Sequence, residues 1–349
     1  MHAAASAPPA GVKVRPTLRD VAQLAGVSPK TVSRVVNGEA GVSAPKLAAV
    51  RRAIAQLDYR PNFTASSLRR SSGRSAAIAA VLEDLANPFS AALHRALEDA
   101  ARERGVLIFA GSVDENPERE RDLIHAFTMR QADALVVVPA SDDQSYLAGE
   151  VSAGTPVVFV DRPPVGLPVD AVLADNHQGA ASAVHHLVAH GHREIAYLGD
   201  LQTIATARQR FQGFREALAD HGIRPAATVH DLHTEHDSAG AVRRLLAAES
   251  PPTALFTSQN LVTIGAIRAL QQLGRQHAVA LVGFDDFPLA DLLQPAVTVI
   301  AQDPSEMGRV AASLIFQRLD GEQWRPRTHL VATHLIPRGS GEISGPHRH

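Results

Sequence analysis

Apolar residues follow two regimes along the chain. Between residues 17 and 57 they recur at helical spacing, and from residue 76 onward they gather into short continuous runs separated by amphipathic stretches. In the first regime Thr17 stands three residues before Asp20, the spacing of a helix N-cap with an acid at the third helical position. Leu18, Val21, Ala22 and Ala25 then share one helical face. Gly26 ends that helix where a left-handed residue is useful. Ser28-Pro29 restarts the chain, with Ser as cap and Pro at the first helical position, where no N–H is missed. This second helix is predicted to run to about Val36 and to stop at the turn pair Asn37-Gly38. Ser43 is placed to cap a third helix with the stripe Leu47, Val50, Ile54 and Leu57. Two short helices joined by a Gly-containing turn, with a third behind, form the helix-turn-helix pattern, in which the start of the second helix meets base edges in the major groove.

In the second regime, apolar runs at 76–82, 106–110, 134–138, 157–160, 195–198, 254–257 and 280–284 alternate with helical stretches such as 89–104 and 118–129. The runs are continuous rather than alternating, as expected of parallel strands buried on both faces. Repeated βα units imply open parallel sheets that bind ligands at the strand C-termini. Neither a GxGxxG opening a helix after the first strand nor a GxxxxGK[ST] is present, so the nucleotide-binding fingerprints are missing. The strand tips instead carry Asn87-Pro88-Phe89, Asp161-Arg162, Asp175-Asn176, Arg208 and Arg210, Gln259-Asn260 and Asp285-Asp286.

Charge separates the two regimes further. The 349 residues have a net charge of −2, yet residues 1–75 hold twelve Lys and Arg against three acids, or +9. The rest holds 22 basic against 33 acidic residues, or −11. A basic head on an acidic body points to a polyanionic partner at one end. There is no cysteine, which excludes disulfides and thiolate metal sites. The Ala/Pro-rich start lacks the apolar core of a signal peptide and is read as a disordered tail, and no run approaches a membrane span.

The stretch TLRDVAQLAGVSPKTVSRVVNGEAGVSAPKLAAVRRAIAQLDYRPNFTASSLRRSSGR (residues 17–74) resembles the head of the LacI/GalR repressor family, with AGVSPKTVSRVVNG close to its recognition motif. The resemblance implies that Pro29, Lys30 and Arg34 occupy base-reading positions. Pro29 has no side-chain donor, so direct readout rests on Lys30 and Arg34. Thr17, Ser28, Thr31, Ser33 and Asn37 offer short groups for the phosphate backbone. The resemblance also implies a hinge spanning Asn62 to Arg70 that folds on operator DNA. In it Leu68 matches a minor-groove wedge, Ala65 the small packed residue, and Arg69 lies beside them. Ser66 and Ser67 stand where relatives often carry longer polar residues. Further family-like segments are GHREIAYLG, TARQRFQGF, TIGAIRALQQLG and VGFDDFPLADLLQPAVTVIAQD. They imply a two-lobed body similar to periplasmic sugar-binding proteins. Carried over by position, Arg210 and Asp285 are the leading effector-binding residues, followed by Asp161, Thr206, Phe89 and Gln259. A guanidinium fork, a carboxylate and an aromatic ring suit a polyol.

The expected fold class is therefore an all-α helix-turn-helix head plus an α/β periplasmic-binding-protein-like domain with two doubly wound parallel-sheet lobes. The expected boundaries are a tail at 1–15, the head at 16–61, a hinge at 62–73, a body at 74–342 and a tail at 343–349. Within the body, lobe one takes 74–173 and 303–331, and lobe two takes 174–302 and 332–342. The histidines at 185, 186, 190 and 192, and His233 with His236, read as solvated or turn residues rather than metal ligands, because neighbours on a helix do not share a face. No nucleophile elbow and no opposed carboxylate pair calls for catalysis. The expected function is a cytoplasmic, homodimeric, sequence-specific transcriptional regulator, in the first instance a repressor. Its partners are a pseudo-palindromic double-stranded operator and a sugar or sugar-acid effector; no cofactor and no metal are expected. A solute-binding protein, against which the basic head argues, and a sugar-active enzyme using the same cleft, which turnover of a bound sugar lost on changing Asp285 would support, are the alternatives.

Overall fold

The computed structural model describes residues 16–36, 39–59, 75–323 and 325–346, and the chain divides into two compact units, residues 1–75 and 76–349. In the first unit, α1 (Leu18–Ala25), α2 (Pro29–Val36) and α3 (Ala44–Leu57) enclose a small core of Val21, Ala22, Val32, Val50 and Ala53. The predicted caps hold for the first two helices. Thr17 and Asp20 close a reciprocal capping box, and Ser28 Oγ accepts from the Thr31 N–H at 3.2 Å. Gly26 ends α1 with φ +63°, a left-handed conformation that glycine adopts at no steric cost. The expectation for Ser43 does not hold: it occupies the cap position of α3, but its side chain makes no cap hydrogen bond.

The second unit contains two six-stranded sheets with helices on both faces. One has the order β11-β5-β4-β3-β1-β2 and the other β12-β10-β9-β8-β6-β7. The first comprises β1 (Ala77–Leu82), β2 (Leu107–Ser112), β3 (Ala134–Val137), β4 (Val157–Val160), β5 (Asp170–Ala174) and β11 (Thr328–Val331). The second comprises β6 (Ile195–Leu198), β7 (Ala227–Val229), β8 (Ala254–Thr257), β9 (Ala280–Phe284), β10 (Thr298–Ala301) and β12 (His334–Ile336). The chain thus crosses between sheets after β5, β10 and β11. Helices α4 (Pro88–Glu103), α5 (Pro117–Thr128) and α11 (Pro304–Leu319) cover the first sheet. Helices α7 (Asn176–Ala189), α8 (Ala205–Asp220), α9 (Glu235–Leu246) and α10 (Asn260–Gln272) cover the second. A one-turn α6 (Ala148–Ser152) lies between β3 and β4.

Two features depart from the sequence reading. The run at β2 is not buried on both faces: it is an edge strand, with Leu107 and Phe109 65% and 42% exposed. The second sheet is not purely parallel, because β12 pairs antiparallel with β10. Small residues set the helix spacing. A Cβ on Gly213 of α8 would lie 2.2 Å from the His177 carbonyl of α7, so these helices pack backbone to backbone. Among the described residues no helix is long and apolar enough to cross a membrane.

Candidate functional site

In each sheet the strand order reverses beside the first strand of the set, β1 or β6. The polar residues that follow the strands converge there, as expected at a topological switch point. Glu83 follows β1, Asp161 follows β4, Asp200 follows β6, Gln259 follows β8, Asp285 follows β9 and Gln302 follows β10. Together with the start of α4 and the first turns of α8 they line an interlobe cavity of about 50 Å³. It is flanked by wider clefts of about 650 Å³, sharing Glu83, and about 330 Å³, sharing Phe89, Asp285 and Gln302. The structure brings all six sequence-predicted effector residues, Phe89, Asp161, Thr206, Arg210, Gln259 and Asp285, to this one cavity.

Arg210 is its central cation. One turn after Thr206 on the same face of α8, it is 5% exposed. Its Nε donates to Asn176 Oδ1 at 2.7 Å. Its Nη1 donates to the Ser258 carbonyl at 2.7 Å and to Asp285 Oδ2 at 3.1 Å. The guanidinium carbon sits 3.9 Å from the centroid of the Phe284 ring, a cation–π contact. Nη2 is the guanidinium nitrogen left without a hydrogen bond to any described residue. Asp285 also accepts from Gln302 Nε2 at 2.6 Å. Gln259 uses Oε1 to cap α10 through the Leu261 N–H at 2.8 Å, which leaves its amide nitrogen as a donor.

Asp161 and Asp285 both have φ +69°. Each ends the third strand from its sheet edge and bonds across to the neighbouring strand, Asp161 N to Val172 O at 2.9 Å and Asp285 N to Ile300 O at 2.8 Å. Left-handed backbone at a non-glycine residue is uncommon, and Asp is among the residues that tolerate it. Burial pushes the Asp161 carboxyl up from its ordinary range, against the pull of Arg162 and Arg210.

Four polar contributors escaped the sequence reading: Glu83, Glu115, Asp200 and Gln302. Glu115 holds both terminal nitrogens of Arg162, at 2.7 Å for the Nη1 contact, and Arg162 also donates to the Pro139 carbonyl at 2.9 Å. Burial, then the neighbouring Glu115 carboxylate, pushes Glu83 up to about 7. Asp200 accepts from the His233 ring at 2.8 Å and raises its pKa. The lobes meet through Asn260 Nδ2 donating to Asn87 Oδ1 at 2.9 Å. Four polar tip residues do not line the cavity: Asp175 caps α7 through the Gln178 N–H, Asn176 stands behind Arg210, and Arg208 and Asp286 are held elsewhere. Arg208 turns to the Gln202 and Thr203 carbonyls, and Asp286 is held by Arg338. His192 is a turn residue but not a solvated one: it is 1% exposed, bonded to Thr253 Oγ1 and the Ile343 carbonyl.

In the head, Pro29 and Lys30 are exposed at the start of α2. Arg34 is folded back, with Nη2 donating to the Ala40 carbonyl and Nε 3.5 Å from Glu39. Thr17 spends its hydroxyl on the capping box, and Ser28 and Thr31 share a hydrogen bond at 2.9 Å. Ser33 is half-buried on α2. The residues read as DNA contacts at Asn37, Asn62, Ala65, Leu68 and Arg69 lie outside the described residues.

Residues 17–62 match the family described as bacterial regulatory proteins, lacI family, and residues 184–341 match the periplasmic binding protein-like domain. The chain is 33% identical over 339 residues to the HTH-type transcriptional regulator PtxS of Pseudomonas aeruginosa, covering 95% of this chain and 97% of that one. A crystal structure of the lac repressor dimer bound to operator and the anti-inducer ONPF superposes with a TM-score of 0.83 at 27% identity, covering 94% and 99% of the two chains. A complex of the transcriptional regulator CelR with cellobiose superposes with a TM-score of 0.68 at 32% identity, covering 93% and 100%. These relatives are transcriptional regulators, not enzymes.

Proposed function

The chain belongs to the LacI family of transcriptional regulators, and from that premise we propose that it is a repressor whose affinity for operator DNA is set by a sugar bound in the interlobe cavity. The observation that carries this reading is the pairing of two features in one chain. A basic helix-turn-helix unit presents Lys30 at the start of its second helix, and a body places Arg210, Asp285 and Asp161 around one buried polar cavity. The CelR complex with cellobiose supports a sugar as the class of occupant. Residues 16–61 form the reading head, 62–73 the hinge, and 74–342 the sensing body with the discontinuous lobes given above. Asn62, Ala65, Leu68 and Arg69 belong to the hinge contact with DNA.

The functional unit is a homodimer in the cytoplasm. Support comes from the operator-bound dimer of the lac repressor and from the exposed Leu107 and Phe109 on edge strand β2, an apolar edge that a second copy would cover. Two matched heads suit a pseudo-palindromic site. The effector acts through its differential affinity for the DNA-bound and free states, and DNA and effector influence each other's binding equally.

Fluorescence anisotropy tests the proposal. Duplexes from the region upstream of the protein's own gene are compared with scrambled duplexes of equal length, with and without a panel of sugars. Preferential binding that one sugar shifts is the expected result. Equal binding to both duplexes under every condition would reject it.

A further inference from the structure

We infer that the interlobe cavity is built for an uncharged or ammonium-bearing polyhydroxyl ligand and rejects carboxylated and phosphorylated ones; this rests on the sugar-effector reading and narrows it. Five carboxyl groups line the cavity, those of Glu83, Glu115, Asp161, Asp200 and Asp285, against the two guanidiniums of Arg162 and Arg210. Both guanidiniums are already committed. Arg162 gives both terminal nitrogens to Glu115, and Arg210 is paired with Asp285 at 3.1 Å. In the wider cleft that shares Glu83, the His233 ring is bonded to Asp200 and Arg268 is paired with Glu235 at 2.8 Å, while Arg243 donates to Gln272. A ligand carboxylate or phosphate in the cavity would meet guanidiniums already paired with carboxylates, with Arg210 Nη2 as the open donor edge, and would lie among five carboxyl groups.

Unmet hydrogen bonds point the same way. Among the lining residues, the buried atoms without a hydrogen-bond partner are Asp161 Oδ1, Asn260 Oδ1, Gln302 Oε1 and Arg162 Nε. Three are acceptors and one is a donor, and the donor already lies 3.7 Å from Asp161 Oδ2. Both amide orientations follow from their other partners, since Gln302 Nε2 donates to a carboxylate and Asn260 Nδ2 to Asn87 Oδ1. A buried acceptor left unpaired is unfavourable, so the occupant should donate. Hydroxyl and ammonium groups donate, whereas ionised carboxylates only accept. Gln259 Nε2 and Arg210 Nη2 remain to receive hydroxyl oxygens. The contrary influence is α8, which starts beside the cavity with no side-chain cap, but a helix N-terminus offers only about half a charge.

The test is isothermal titration calorimetry on the full chain with matched sets: glucose, glucosamine, gluconate and glucose 6-phosphate, the equivalent galactose and ribose sets, and cellobiose. In at least one set the neutral or amino sugar should bind about a hundredfold more tightly than its acid or phosphate, the scale of one unpaired like-charge contact in a partly buried site. Tighter binding of the amino sugar than of its neutral parent identifies ammonium as the donor read by the acceptors, and the reverse order identifies hydroxyls; either agrees with the inference. An acid or phosphate that outbinds its parent overturns the inference and leaves the sugar-effector reading standing. If no compound in the panel binds, both fall. Glu83→Gln should narrow the gap between neutral and anionic members about tenfold, and an unchanged gap would show that excess carboxylate is not what excludes anions.

Discussion

Replacing Arg210 by Met while keeping Asp285 removes the cation from a pair in which Arg210 is 5% and Asp285 8% exposed. Met preserves most of the apolar stem against Phe284 but leaves Asp285 with Gln302 as its remaining side-chain donor. Breaking one side of a buried pair costs about 3–5 kcal/mol, because the other charge is left uncompensated. For a body of this size each kcal/mol moves Tm by roughly 2 °C, so Arg210→Met should lower Tm by roughly 6–10 °C. Asp285→Asn removes the complementary charge and suits the +69° φ of that residue, since Asn also tolerates left-handed backbone. The double variant carries no orphaned charge. It should therefore be less destabilised than the sum of the singles, with a coupling of about 2 kcal/mol or more in urea denaturation. Additive single effects, within about 0.5 kcal/mol, would refute the view that Arg210 and Asp285 act as one ion-paired unit.

Three further outcomes follow from other parts of the molecule. Glu83 rises from 4.5 to about 7 in the folded protein, so its contribution to stability is complete below about pH 4.5 and is lost as pH rises through 7; His233, also raised, loses its contribution in the same direction. Glu83→Gln should reduce the fall in unfolding free energy between pH 5 and pH 8 by roughly 2–3 kcal/mol, and an unaltered pH profile would count against that assignment. Gly213→Ala ought to destabilise by about 2 kcal/mol despite the better helix propensity of Ala, because its Cβ would meet the His177 carbonyl; a gain in urea midpoint would contradict the close packing of α7 and α8. Arg34→Ala should remove discrimination at one operator base pair, worth about 1–3 kcal/mol, while salt-sensitive binding to random duplex persists; equal weakening on both duplexes would show a phosphate role instead.

The head was legible because its signals are local. A capping box and a left-handed glycine act within a few residues, and the structure reproduces them at Thr17–Asp20 and at Gly26. Sheet position is not local. The run at β2 reads as buried on composition, yet its exposure follows from lying at the edge of the strand order. β5 escaped notice because its apolar run is short and opens on Asp170, and only the fold supplies Arg318, 2.9 Å away, to hold that carboxylate. The site divides the same way. Arg210 and Asp285 stand in stretches distinctive enough to identify, whereas Glu83, Glu115 and Asp200 look like surface acids until three chain crossings bring their strand ends to one cavity.

The two lobes approach that cavity with the same device. Each carries an Asp immediately after a central strand, in left-handed backbone and tied by its N–H to the next strand. What distinguishes the lobes is the charge balance around that Asp. In the second lobe Arg210 answers Asp285 directly and Gln302 adds a donor. In the first, Arg162 is drawn off to Glu115, so Asp161 keeps a buried oxygen without a partner. The two Asp carboxylates therefore differ in balance, while unmet acceptors lie on both walls, Asp161 Oδ1 on the first lobe and Asn260 Oδ1 and Gln302 Oε1 on the second. On the proposed reading, a ligand donating hydrogen bonds meets unmet acceptors on both lobes, while Arg210 Nη2 and the Gln259 amide are placed to donate to its oxygens from the second. One small molecule that needs both walls favours the arrangement in which they face each other, and that preference is the differential affinity through which an effector shifts a two-state equilibrium.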